Sequence, residues 1–133
     1  MHRLRGELGG EPAAAEYDEL LEGVSLGLAL QGIGPDGHTA SLFPNSPALE
    51  ERERRAVAVP REDVERVTMT LPMLSGAQRV VFLAVGEDKA EAVKRAFADD
   101  PDPATPASLL RSEEGETIAL LDRAAAANLD NVG

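Results

Sequence analysis

Residues 79–98 read RVVFLAVGEDKAEAVKRAFA, and they decide the fold class. Val80 to Val85 are all apolar, the pattern of a strand buried on both faces. Gly86 ends the run. Residues 87–98 then change period: Ala90, Val93, Ala96 and Phe97 fall on one helical face. Glu87 and Asp88 occupy the first turn, where the helix dipole favours acids. Strand, glycine and amphipathic helix form the repeating unit of a parallel α/β sheet.

The same alternation extends in both directions. Upstream, Pro12 opens a predicted helix over 12–23, and Val24 to Leu30 is a second buried strand. Residues 56–59, AVAV, and 66–71, RVTMTL, are two shorter strand candidates. Pro72 starts a short helix that ends at Gly76. Downstream, 99–106, DDPDPATP, is a breaker-rich loop, and 107–111 is a short helical turn. Thr117 to Leu121 is a last strand, and Asp122 caps a predicted alanine-rich helix to Leu129. The charged run 49–55, LEERERR, is a solvated face. The class is α/β: a mostly parallel open sheet with flanking helices, in one domain over 1–133. Only three strands are secure, so the sheet is thin. Its bare edges offer a route to self-association.

Composition narrows the chemistry. The chain has 133 residues, 43% of them apolar, with three phenylalanines, one tyrosine and no tryptophan, so its core is aliphatic. It has no cysteine, which removes disulfides, a thiol nucleophile and thiolate metal sites. No apolar stretch has the ~20 residues of a membrane span, and Met1-His2-Arg3-Leu4-Arg5 lacks a signal-peptide core. A cytoplasmic protein is expected. The formal net charge of −11 argues against nucleic acid. A phosphorylated ligand needs a local basic pocket that overrides that field.

Residues 32–44 read GIGPDGHTASLFP and directly follow the second strand. A strand end with a glycine turn, an acid and an imidazole is a layout that exposes a proton-transfer group. In open α/β sheets that end is where ligands bind. His38 is the candidate base, since an imidazole titrates near pH 6.5. Asp36, two residues upstream, is placed to orient it, as a carboxylate does in a catalytic triad. Gly34 and Gly37 permit close backbone approach to a ligand. Thr39 adds a hydroxyl. Lys89, in the first turn after Gly86, is a candidate anion contact, and Arg66 opens a strand-like run near enough to serve a cleft. Two histidines 36 residues apart without thiols make a poor metal site.

Together these segments resemble the 6-phosphogluconolactonase family. The resemblance rests on GIGPDGHTASLFPNSPAL at 32–49, RVTMTLPMLSGAQRVVFLAVGEDKAEAV at 66–93 and DPATPASLL at 102–110. It covers nearly all of this chain but only the C-terminal half of the family. Gln31 departs from the leucine common there and is expected to cost packing at the strand end. The resemblance implies a doubly wound, NagB/RpiA-like domain with a cleft at the strand ends. It implies hydrolysis of 6-phospho-D-glucono-1,5-lactone to 6-phosphogluconate, in the oxidative pentose phosphate pathway. His38 would activate water and Asp36 would orient it. Backbone N–H groups around Gly34 and Gly37 would hold the oxyanion, with Lys89 and Arg66 on the phosphate side. No metal or organic cofactor is implied. Two other readings stay open. The related glucosamine-6-phosphate deaminases share the glycine–Asp–Gly–His loop, though Phe43-Pro44 supplies no acid after it. A half-length chain is also compatible with a fragment that binds sugar phosphate without turning it over.

Overall fold

In the computed structural model, which describes residues 9–60 and 65–129, the apolar run at 79–85 is the central strand. The elements in chain order are α1 (Gly10–Leu20), β1 (Leu28–Gly32), β2 (Ala56–Pro60), β3 (Glu65–Met69), α2 (Leu71–Ser75), β4 (Arg79–Ala84), α3 (Ala90–Phe97) and β5 (Glu116–Leu121). Strands β1, β4 and β5 form one sheet in the order β1-β4-β5, and both ladders are parallel. Strands β2 and β3 form a separate antiparallel ribbon. The three secure strands thus make the sheet, and the two short ones pair only with each other.

One face of the sheet carries the core. Val80 and Phe82 of β4 point into it and are fully buried, with Ala29 of β1 beside them. Helix α3 supplies Ala92, Val93 and Ala96, helix α2 supplies Leu74, and Leu42, Ala107 and Leu110 close the cluster. Phe97 meets Phe82 edge to face at 5.3 Å between ring centroids, the preferred geometry for two quadrupoles. Arg111 stacks over Phe97 and donates to the carbonyls of Ala96, Ala107 and Leu110. Its burial lowers its proton affinity from the usual arginine value, yet no arginine loses its proton at neutral pH. A second, smaller cluster joins Leu21, Ala56 and Met73 where α1 lies on the ribbon.

The opposite face is different. Alternate residues of the three strands line up across it in register: Leu30 beside Val81 beside Ile118, then Gly32 beside Leu83 beside Leu120. Leu30 is 63% exposed, and Leu83 and Leu120 are about half exposed. At the strand starts the next row ends in an ion pair, Arg79 Nη2 to Glu116 Oε1 at 3.9 Å. Parallel sheets are normally covered on both faces; among the described residues this one is covered on one.

Several expected boundaries move. β1 begins at Leu28 rather than Val24, because its ladder partner β4 begins at Arg79. It runs on to Gly32, two residues beyond the apolar run. The expected helix after Asp122 is a series of turns over 123–128. Asp122 nevertheless acts as a cap: its carboxylate accepts from the N–H of Ala125 and from that of Gly86, tying the ends of β5 and β4 together. Those amide bonds hold it below the usual aspartate value. Residues 51–55 are not helical. Arg55 binds the Asp18 carboxylate and main-chain carbonyl, which fastens α1 to the ribbon. No described helix is long and apolar enough to cross a membrane.

Phe82 fills the centre of the covered face. Phe82→Ala is expected to lower unfolding free energy by about 3–5 kcal/mol, read from the midpoint of a urea titration followed by circular dichroism.

Candidate active site

Parallel pairing of β1 and β4 sends both chains out at the same end of the sheet. The loop after β1 carries His38 and the turn after β4 carries Lys89. They meet in an open cleft of about 360 Å³ lined by Gly32, Ile33, Gly34, Pro35, His38, Ala40 and Lys89.

The loop is built around its own backbone. The Gly34 N–H donates to the His38 carbonyl at 2.9 Å, and the Gly37 N–H donates to the Gly34 carbonyl at 2.9 Å. This folds 34–38 into a closed turn and brings the imidazole back over Gly34. A Cβ on Gly34 would occupy the space of His38 Cε1 and Nδ1, so only glycine lets the ring lie there. Gly37 has φ +91°, a conformation that L side chains rarely adopt, and a Cβ there would meet Thr105 Cγ2 at 2.8 Å. The breaker-rich loop is the support beneath. Thr105 packs on Gly37, and the Ala107 N–H donates to the Gly37 carbonyl at 3.0 Å.

His38 and Asp36 are in direct contact, Nδ1 to Oδ1 at 2.5 Å. The same carboxylate oxygen accepts from the His38 backbone N–H at 3.1 Å. Partial burial pushes the Asp36 carboxyl up, but the hydrogen bonds from the His38 amide and ring and the electrostatic attraction of that ring outweigh it and hold the group below its ordinary value. A carboxylate on Nδ1 selects the neutral tautomer that carries its proton there and leaves the Nε2 lone pair free. His38 keeps about a third of its side chain in water, so that lone pair is open to small molecules.

Two basic side chains fasten the loop to the segment that follows β4. Lys89 Nζ donates to the Ile33 carbonyl at 2.6 Å, and Arg95 Nη2 donates to the Pro35 carbonyl at 3.1 Å. An ammonium has three donors, so Lys89 keeps two for a ligand in the cleft. Arg66 stands one ring away. Its guanidinium lies 6.0 Å from the Phe43 ring centroid, and Phe43 lies 5.0 Å from the His38 ring.

The structure thus brings His38, Asp36, Gly34 and Lys89 together and sets Arg66 at the margin. Thr39 does not reach the cleft. It is 1% exposed, and its hydroxyl is engaged with the Gly32 carbonyl and Gln31 Oε1. Gln31 therefore has a polar partner at the strand end, where the sequence suggested a packing cost. Of the backbone N–H groups around these glycines, those of Gly34 and Gly37 themselves already donate within the loop. Arg95 and Phe43 are the residues that sequence reasoning missed. An arginine on an amphipathic helix reads as solvated surface. Phe43, inside the motif and one of only four aromatics, could have been flagged.

Residues 1–119 match the family model described as glucosamine-6-phosphate isomerases/6-phosphogluconolactonase. The 6-phosphogluconolactonase of Homo sapiens is 41% identical over 133 residues, which is 92% of this chain and 52% of that protein. A probable 6-phosphogluconolactonase of Oryza sativa is 42% identical, across 77% of this chain and 37% of that protein. Among solved structures, the devB protein superposes with TM-score 0.85 and 30% identity, over 96% of this chain and 58% of that one. The 6-phosphogluconolactonase of Trypanosoma brucei gives 0.76 and 32%, over 89% and 53%. The chain spans about half the length of the mammalian relatives it matches. On the family match and these identities, the chain belongs to the glucosamine-6-phosphate isomerase/6-phosphogluconolactonase family.

Proposed function

We propose that this chain carries the water-activating part of a 6-phosphogluconolactonase site. The observation behind the reading is the Asp36–His38 pair at the mouth of a cleft that also holds Lys89. With Nδ1 engaged, Nε2 takes a proton from water as the oxygen attacks the lactone carbonyl carbon. The tetrahedral intermediate collapses, the bond from that carbon to the ring oxygen breaks, and the imidazolium returns its proton to the departing alkoxide. Water is consumed and the open-chain acid is released. The two unused Lys89 donors meet the substrate phosphate, with Arg66 beyond Phe43 adding positive potential. This local pair of cations offsets a net charge of −11. Thr39 positions the loop from beneath. The Homo sapiens and Trypanosoma brucei relatives named above are 6-phosphogluconolactonases, which favours lactone opening over amino-sugar deamination.

A general base contributes about 10²–10⁴-fold. His38→Ala is therefore expected to lower kcat by that factor, measured on freshly made 6-phosphogluconolactone above its spontaneous hydrolysis. Retention of full turnover would remove His38 from this role. Lys89→Met is expected to raise KM for the phosphorylated lactone and leave an unphosphorylated lactone unaffected. An equal loss on both substrates would assign Lys89 to holding the Ile33 carbonyl instead.

The Asp36 pair also links stability to pH. The folded carboxyl is held below its ordinary value, so the contribution is complete above about pH 3.9. It is lost as pH falls through the lowered folded value. Half of the Asp36 side chain stays in water, which keeps the effect small. The stability gap between the wild type and Asp36→Asn is expected to close in acid, followed by urea titrations from pH 7 to pH 2.

A further inference from the structure

The turn that carries Asp36 can take two forms, and the hydrogen bond that chooses between them comes from outside the loop. The Gly37 N–H donates to the Gly34 carbonyl, which makes 34–37 a β-turn with Pro35 and Asp36 at its centre. Proline at the first central position suits both type I and type II. The two differ by a flip of the peptide plane between the central residues, which carries the second of them from negative to positive φ. Asp36 is not among the residues with positive φ, so the turn is type I. The local sequence does not enforce that form, because aspartate is one of the few side chains that tolerate left-handed backbone.

Arg95 acts on the plane that would flip. The Pro35 carbonyl is the oxygen end of that plane, and no N–H of the loop donates to it. Arg95 does, Nη2 to oxygen at 3.1 Å, from the last turn of α3. A flip would aim the oxygen away from the guanidinium and break this bond. It would also swing the Asp36 Cβ, and with it the carboxylate that holds both the His38 ring and the His38 N–H. Packing alone does not account for an arginine here. Its Nε is buried without a hydrogen-bond partner among the described residues, an arrangement that costs stability. A cation that only complemented the helix C-terminus would do so from water.

We propose that Arg95 is a positioning residue: it locks the Pro35–Asp36 peptide plane in the type I form, and through Asp36 it fixes the tautomer of His38. The link to turnover rests on His38 as the base, whereas the lock itself is read without substrate.

The test compares Arg95→Met, Arg95→Ala and Arg95→Lys with the wild-type chain by nuclear magnetic resonance. All three replacements are good helix formers, so α3 is kept. Lys89 and Arg66, the other charges facing the ring, are left unaltered. The chain has two histidines, and His2→Gln assigns the remaining ring signals to His38. Ring nitrogens are read at about pH 9, where an imidazole is neutral, and amide signals near neutral pH. Wild type should carry the ring proton on Nδ1 and show a weak Overhauser contact between the Pro35 Hα and the Asp36 N–H. In Arg95→Met and Arg95→Ala that contact should strengthen several-fold, the mark of a type II turn, and the ring nitrogens should shift toward the Nε2–H pattern. Only one donor is used at this carbonyl, so the lysine ammonium can replace it, and Arg95→Lys should restore both signals. Asp36→Ala should shift the ring by itself, and adding Arg95→Met to it should shift the ring no further. On freshly made lactone, Arg95→Met should lower kcat ~10-fold and leave KM within ~2-fold. An unmoved Pro35–Asp36 contact, an unmoved ring in both apolar variants, or a further ring shift on top of Asp36→Ala would overturn the proposal. So would a rise in KM at constant kcat, which would make Arg95 a substrate contact. If the lock is seen while His38→Ala keeps full turnover, the proposed reaction fails and the lock stands.

Discussion

Everything at the cleft depends on the parallel pairing of β1 with β4. Five residues of each strand run side by side, from Leu28 with Arg79 to Gly32 with Leu83. Because the pairing is parallel, the two segments that leave the sheet do so at one end, one with an imidazole and the other with an ammonium. An antiparallel pairing would send them to opposite ends. The central position of β4 is secured by Val80 and Phe82, both without exposed surface. The chemistry at the cleft is thus held in place by aliphatic and aromatic burial some distance beneath it.

The loop itself is held from three sides. Thr39 ties it to the end of β1, Thr105 and Ala107 support it below, and Lys89 and Arg95 hold it from the segment after β4. Each bond satisfies a backbone carbonyl near the surface. The price of this rigidity is that the amides of Gly34, Gly37 and His38 have no spare hydrogen for a ligand. The side chain that the loop brings to the cleft is the His38 imidazole.

Much of this was legible in the sequence because the signals are local. The change of period at Gly86 locates β4 and α3, and the glycine–Asp–Gly–His order locates the Asp36–His38 contact. The failures are long-range. Nothing in residues 24–30 tells where the ladder with β4 starts, so the predicted strand was displaced. Alanine-rich 123–128 has helical propensity, yet it adopts turns beneath the Asp122 cap. Arg95 gains its significance from a carbonyl 60 residues earlier in the chain. The amide bookkeeping within 34–38 could not be read from glycine spacing, which marks backbone freedom but not where the N–H groups point.

Tyr17 is the single tyrosine of a chain without tryptophan. It sits on α1, against the small cluster of Leu21, Ala56 and Met73. Ultraviolet-excited emission from this protein therefore reports the seam between that helix and the two-stranded ribbon. A change in its intensity tracks detachment of α1, while events around the imidazole pass without an optical signal of their own.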